Sequence, residues 1–245
     1  MVLAVAHLPS RAAAEVPSSA RSRTAVTRAT PAVEEALQEQ GLALGSPVFL
    51  RILKEEETLE VWVQKDGGGY ELFRSYPICT FSGTLGPKTK QGDLQAPEGF
   101  YFVTPGRLNP ASSFHLSFNL GYPNAFDRAH ARTGDYLMVH GACASIGCYA
   151  MTDPVIEDLW VLMDAAYRQG QPFVRVHAFP FAMTEENLAS HAASEHAAFW
   201  EQLAVGWQAF ERTKVPPNVE VRNKRYVVEE RTARRPLGRP EASVP

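Results

Sequence analysis

The sequence predicts an α+β fold, mainly β with added helices. Three observations carry this. Short runs rich in β-branched and aromatic residues fill the chain up to about residue 150, several with alternating polarity. Glycine and proline clusters punctuate them. Apolar residues at helical spacing gather after residue 150. Strands first and helices later favour a β-rich core to which helices are added.

In order along the chain, residues 1–30 are rich in Ala, Ser, Arg and Thr without periodicity, and read as a flexible N-terminal segment. His7 and Pro9 interrupt the apolar start, so Met1 to Ala14 fits a truncated secretory signal and a plain lead-in equally. Pro31 at the start and Gly41 at the stop bound a short helix. Val48 to Leu53 is a strand. Leu59, Val61 and Val63 alternate with Glu60 and Trp62, Gly67-Gly-Gly69 turns, and Tyr70 to Tyr76 returns, which is a hairpin pattern. Gly83 to Gly99 is loop. Phe100 to Thr104, His115 to Phe118 and Tyr136 to His140 are further short strands. Asp153-Pro154 opens a helix that holds Val155, Leu159, Leu162, Met163 and Ala166 on one face and ends at Gly170. Pro172 to Phe179 is a strand, and Thr184 to Glu211 forms one or two helices. Beyond about Arg231 the tail is Arg/Pro-rich and reads as disordered.

The 245 residues suit one sizeable domain, or one with additions. A net charge of −3 leaves no electrostatic footprint for nucleic acid. No apolar run reaches the roughly 18 to 20 residues that span a bilayer. Three cysteines, Cys79, Cys143 and Cys148, leave at least one thiol unpaired and exclude a disulfide framework.

The chemistry concentrates in Tyr136-Leu-Met-Val-His-Gly-Ala-Cys-Ala-Ser-Ile-Gly-Cys-Tyr-Ala-Met-Thr-Asp153. His140 ends an apolar strand, and Cys148 follows eight residues later behind Gly147. A thiol attacks only as thiolate and needs a base beside it. The small, Gly-bracketed linker Ala142 to Gly147 can fold back and bring the two together. Gly147 lets backbone N–H groups, its own and that of Cys148, face a reacting oxygen. Other readings of the same residues are a core histidine with a buried filler cysteine, a metal site built from His140, Cys143, Cys148 and His115 or His177, and a Cys143–Cys148 disulfide.

His140-Gly141 followed by Ser145-Ile-Gly-Cys148 resembles the catalytic motif of the YkuD-type L,D-transpeptidase family. Around it, Tyr76-Pro-Ile-Cys-Thr-Phe-Ser-Gly-Thr-Leu-Gly-Pro-Lys88, Gly92-Asp93, Ala96-Pro-Glu-Gly-Phe-Tyr101, Leu116-Ser-Phe-Asn-Leu-Gly-Tyr-Pro-Asn124 and Cys148-Tyr-Ala-Met-Thr-Asp153 resemble its YafK/DpaA-like branch, over roughly residues 47 to 183. Most members of the wider family carry His where Ile146 stands and Arg where Ala150 stands, so their substrate contacts do not transfer to those two positions.

The resemblance implies a β-sandwich core of L,D-transpeptidase type over residues 31–183, a C-terminal helical extension over 184–230 and a tail over 231–245. It implies a cysteine enzyme that needs no cofactor or metal and acts at the L-centre of diaminopimelate in peptidoglycan stem peptides. Cys148 is the implied nucleophile and His140 the base, with the Gly141 carbonyl orienting the imidazole and Gly147 supplying oxyanion contacts. The branch implies hydrolysis of the lipoprotein–peptidoglycan amide in the periplasm, with bound lipoprotein as partner. Cross-linking, lipoprotein attachment and a silent wall-binding module stand as alternatives. Substrate contacts are expected from Ser145, Tyr149, Asn119, Tyr122, Asn124, Arg128 and Arg132, with Arg107, Ser117 and Tyr101 nearby, because stem peptides carry carboxylates and loops carry function. Asp153 reads as a helix cap.

Overall fold

The computed structural model describes residues 15–233. In chain order the elements are α1 (Ala20–Glu39), β1 (Val48–Leu53), β2 (Thr58–Gln64), β3 (Tyr70–Pro77), β4 (Thr80–Phe81), β5 (Gly99–Val103), β6 (Leu108–Asn109), β7 (Ser117–Asn119), α2 (Ala125–Ala129), β8 (Met138–His140), β9 (Tyr149–Ala150), α3 (Asp153–Arg168), β10 (Val174–Phe179), α4 (Glu185–Ser190), α5 (Ala197–Thr213), β11 (Asn218–Arg222) and β12 (Arg225–Glu229). The α+β class predicted from the sequence is what the chain adopts.

Two mixed five-stranded sheets organise it, one in the order β3-β2-β1-β10-β5 and the other β4-β9-β8-β7-β6. One apolar cluster joins them to α1 and α3. Leu50, Ile52, Val61 and Val176 of the first sheet share it with Phe118, Val139 and Tyr149 of the second, and with Ile156, Leu159 and Leu37 of the helices. Alternation sends the intervening side chains of the first sheet the other way, onto α5. There Phe49 and Trp62 meet Phe210, while Leu53 and Phe179 join Trp200, Leu203 and Trp207. With both faces covered, all six residues of β1 are buried, which is why its sequence is nearly continuous in apolar residues.

Three expectations change. The flexible segment over 1–30 does not hold for its described part. Helix α1 starts at Ala20, ten or so residues before Pro31, behind Ser19, whose hydroxyl caps the helix in a reciprocal pair with Ser22. Pro31 therefore lies inside α1. Burial of Ala25, Val33 and Leu37 along one stripe outweighs the backbone bond the proline removes. Residues 1–14 lie outside the described residues, as does the expected tail from 234 on. The extension after residue 184 is not purely helical, because β11 and β12 pair as an antiparallel hairpin. Its two-residue turn, Asn223-Lys224, has both φ positive, the backbone of a tight hairpin.

The loop between β4 and β5 is irregular, as its Gly/Pro content predicts, but it is pinned from beneath. The fully buried Lys54 ammonium donates to the carbonyls of Thr84 (2.7 Å), Gly86 (3.1 Å) and Ala96 (3.2 Å) and pairs with Glu98 Oε1 at 3.0 Å. Glu98 also accepts from Gly86 N and from Trp200 Nε1. Burial pushes the Lys54 pKa down, and the Glu98 carboxylate opposes that shift.

Candidate active site

The predicted fold-back between His140 and Cys148 is present. Strands β8 and β9 are parallel neighbours, with Val139 opposite Tyr149 and His140 opposite Ala150. Cys148, one residue before β9, thereby falls alongside Met138. Parallel strands ordinarily need a crossover of about a dozen residues or more; here Gly141 to Cys148 suffices. A turn that short requires left-handed backbone, and Ala142 (φ 64°), Cys143 (φ 46°) and Gly147 (φ 120°) adopt it.

Five interactions hold this turn. The Gly141 N–H is shared between the carbonyls of Phe114 and Leu116, each at 3.1 Å. Ala142 N donates to Asp153 Oδ1 at 2.8 Å. Cys143 N donates to the Met151 carbonyl at 3.2 Å. A disulfide ties Cys143 to Cys79, with the Cα atoms 5.4 Å apart. Ser145 Oγ donates to the Cys148 carbonyl at 2.6 Å and accepts from Cys148 N at 3.0 Å. The disulfide replaces the Cys143–Cys148 pairing weighed above and removes Cys143 as a metal ligand. Cys148 is the free cysteine.

His140 is buried, and its Nδ1 lies 2.6 Å from the Gly141 carbonyl. The Phe114 ring packs on the imidazole with centroids 4.7 Å apart. The Cys148 sulfur meets Met138 N at 3.4 Å and the Tyr136 carbonyl at 3.8 Å. Among the described residues no hydrogen bond joins it to His140, so the two side chains are neighbours on adjacent strands rather than a closed pair. Burial pushes the Cys148 thiol up, against the Met138 N–H and the Lys88 charge, which pull it down. Burial pushes the His140 pKa down, against its bond to Gly141. Both shifts favour a neutral thiol beside a neutral imidazole.

An open cavity of about 440 Å³ is lined in part by Tyr136, whose carbonyl the Cys148 sulfur meets; Cys148 and His140 are not themselves in its lining. Of the expected substrate contacts, Asn119, Tyr122 and Arg128 line it, together with Arg107, Asp135 and Tyr136. Four others serve elsewhere. Tyr149 is fully buried and donates to the Pro97 carbonyl at 2.7 Å, so it is core. Asn124 caps α2 in a reciprocal pair with Asp127 and donates to the Phe100 carbonyl. Arg132 pairs with the buried Asp127 at 2.8 Å beneath the Phe126 and Phe199 rings. Ser145 spends its hydroxyl on the Cys148 backbone, so the Cys148 N–H, expected as an oxyanion donor, is already engaged. Tyr101, likewise, is buried and bonded to Glu98 O and Asp127. Sequence reasoning missed Phe114 and Tyr136, whose placement follows from strand register and from a left-handed Tyr136 (φ 52°). Among the described residues no group of three or more His, Cys, Asp and Glu could hold a metal ion, and no helix is long and apolar enough to cross a membrane.

No protein-family model matches the chain. It is 49% identical over 199 residues to a protein of Escherichia coli (strain K12) named "Putative L,D-transpeptidase YafK", covering 81% of this chain and 79% of that protein. The protein of the same name from Escherichia coli O157:H7 matches equally. Among solved structures, the helical cell shape determining protein Pgp2 from Campylobacter jejuni superposes at TM-score 0.44 with 19% identity, covering 78% of this chain and 80% of that one. Bd1075 of Bdellovibrio bacteriovorus superposes at 0.40 with 16% identity, covering 73% and 78%.

Proposed function

Because this chain belongs to the L,D-transpeptidase family, in its YafK-like branch, we propose that it opens an amide at the L-centre of diaminopimelate in peptidoglycan stem peptides through an acyl-enzyme on Cys148. The observation that carries the reading is the division of labour among the cysteines. Two are spent in the disulfide that shapes the turn, and the free one is set beside the strand that ends in His140.

The Gly141 carbonyl takes the Nδ1–H of the imidazole, which leaves the Nε2 lone pair as base. Nε2 removes the thiol proton as sulfur attacks the carbonyl carbon, and the oxygen gains the negative charge near Gly147 N. The C–N bond then breaks, and the imidazolium returns its proton to the departing amine. The resulting thioester is opened by water, again with His140 as base, which frees the carboxylate and restores the thiol. In the branch reading the departing amine is the C-terminal lysine side chain of a wall-bound lipoprotein, and water is the acceptor. Arg107 and Arg128 on the cavity that Tyr136 lines are suited to stem-peptide carboxylates. The disulfide fits an oxidising compartment such as the periplasm.

Sacculi carrying bound lipoprotein, incubated with the protein and with Cys148→Ala, test this. Free lipoprotein and a shortened wall-bound product are expected from the unaltered protein alone. Identical product profiles reject the reading, and new cross-links in place of released lipoprotein assign transfer instead.

A further inference from the structure

A general base at Nε2 requires the imidazole to be held in one tautomer, with its proton on Nδ1. We infer that Asp153 holds it there, acting through the peptide group that joins Gly141 to Ala142. The inference rests on the reading of His140 as base. The carbonyl of that peptide lies 2.6 Å from His140 Nδ1, and the N–H of the same peptide donates to Asp153 Oδ1 at 2.8 Å. A peptide unit is planar and trans, so a partner that fixes its N–H also fixes the direction of its C=O. Hydrogen bonds in such a chain polarise one another, and a carboxylate at the far end makes the carbonyl a better acceptor for Nδ1–H. Asp153 thus takes the place of a triad carboxylate at one remove, a positioning residue with a peptide between it and the imidazole.

Three further observations agree. Ala142 and Cys143 are both left-handed, a costly backbone for residues with a Cβ, and the Asp153 bond falls on the first of them. A Cβ on Gly141 would stand 2.6 Å from Asp153 Oδ1 and 3.1 Å from both His115 Cβ and Ile156 Cγ2, so glycine is what lets the carboxylate close in. Asp153 is also not the cap of α3. Thr152 holds that position without a side-chain bond, and the Asp153 carboxylate faces the motif turn. The neighbouring charges are otherwise engaged. Glu157 pairs with Arg28 and with His115 Nε2, the latter at 2.6 Å.

The test compares the full chain with Asp153→Ala, Asp153→Asn and Gly141→Ala, read first by ¹⁵N NMR of the His140 imidazole. The unaltered protein should show one neutral tautomer, protonated on Nδ1. Asp153→Ala should show a mixture with the Nε2-protonated form. Asp153→Asn retains an oxygen that accepts the Ala142 N–H and should keep the single tautomer. On lipoprotein-bearing sacculi, Asp153→Ala should lose about 10- to 100-fold in kcat, the scale of one hydrogen bond to a charged group, with KM changed less than about 3-fold. Asp153→Asn should recover most of that loss. A helix-stabilising role alone would lower Tm in both Asp153 variants and leave the tautomer untouched. A single Nδ1-protonated tautomer in Asp153→Ala overturns the inference. Should that variant fail to fold, the same result in Gly141→Ala, which keeps Asp153 but fills its approach, overturns it. The NMR readout needs no activity, so an inactive unaltered protein would reject the proposed function and still decide the role of Asp153.

Discussion

The sulfur of Cys148 lies 3.4 Å from the backbone nitrogen of Met138, in hydrogen-bonding contact with the strand that two residues later carries His140. Strand β8 therefore presents both a donor to the sulfur and the imidazole beside it. The shifts in both groups favour a resting site of neutral partners.

Alkylation of Cys148 should reflect this. Because burial raises the thiol pKa, the sulfur stays protonated at neutral pH, and its reaction with iodoacetamide should be slow at pH 7. The rate should still climb above the ordinary cysteine value of about 8.5. A rate that reaches its plateau by pH 7 would indicate a preformed ion pair instead.

The acid limb of kcat/KM follows from His140. Its depressed pKa keeps the imidazole neutral, and so able to act as base, below the ordinary value of about 6.5. Activity measured against pH should hold through that value and fall only at lower pH. The same depression has a consequence for stability. Below about pH 6.5 the unfolded chain binds a proton that the folded chain does not, so stability falls as pH falls from the unfolded toward the folded value. The fully buried His177, whose pKa is also held low by burial, adds to this in the same direction.

Removing the disulfide should release the turn. Cys79 and Cys143 are 64 residues apart, and closing a loop of that size is worth about 4 kcal/mol on the chain-entropy account, with about 2 to 4 typical in practice. The Cys79→Ser, Cys143→Ser double variant should show that loss in urea unfolding, and a larger proportional fall in activity than in folded fraction at 25 °C. Unchanged activity would separate the disulfide from the site.

Lys54→Met should cost about 3 to 5 kcal/mol, because it leaves the Glu98 carboxylate buried without its cation. Chemical denaturation measures this. A loss below about 1 kcal/mol would mean that the pair adds little to holding the β4–β5 loop.

Much of this was legible in the chain. Alternation in β2 and β3 and the near-continuous apolar run of β1 marked the first sheet, since each residue's burial is written locally. The His140–Cys148 motif was legible through its resemblance to a family motif, since the short linker between Gly141 and Gly147 shows only that a fold-back is sterically easy. The two-residue strands β4, β6 and β9 were not, because so short a pairing is set by tertiary register rather than by any pattern of its own. The site's borders failed where residue type was taken for location. Asn124 followed by Asp127 is a capping pair that sequence spacing could have revealed. Arg132 and Asp127 sit five apart, at no helical or strand spacing, and nothing local announced their pairing. The Asp153 contact depends on a left-handed turn that no residue type at Ala142 or Cys143 foretells.

The most direct test of a Cys148 acyl-enzyme is mass spectrometry of the protein quenched in acid during turnover of a diaminopimelate-containing, lysine-linked stem peptide. The expected result is a thioester on the peptide that contains Cys148, with free lysine-bearing product, and neither from Cys148→Ala. Release of product by Cys148→Ala, or turnover with no adduct on Cys148 at any quench time, would contradict it.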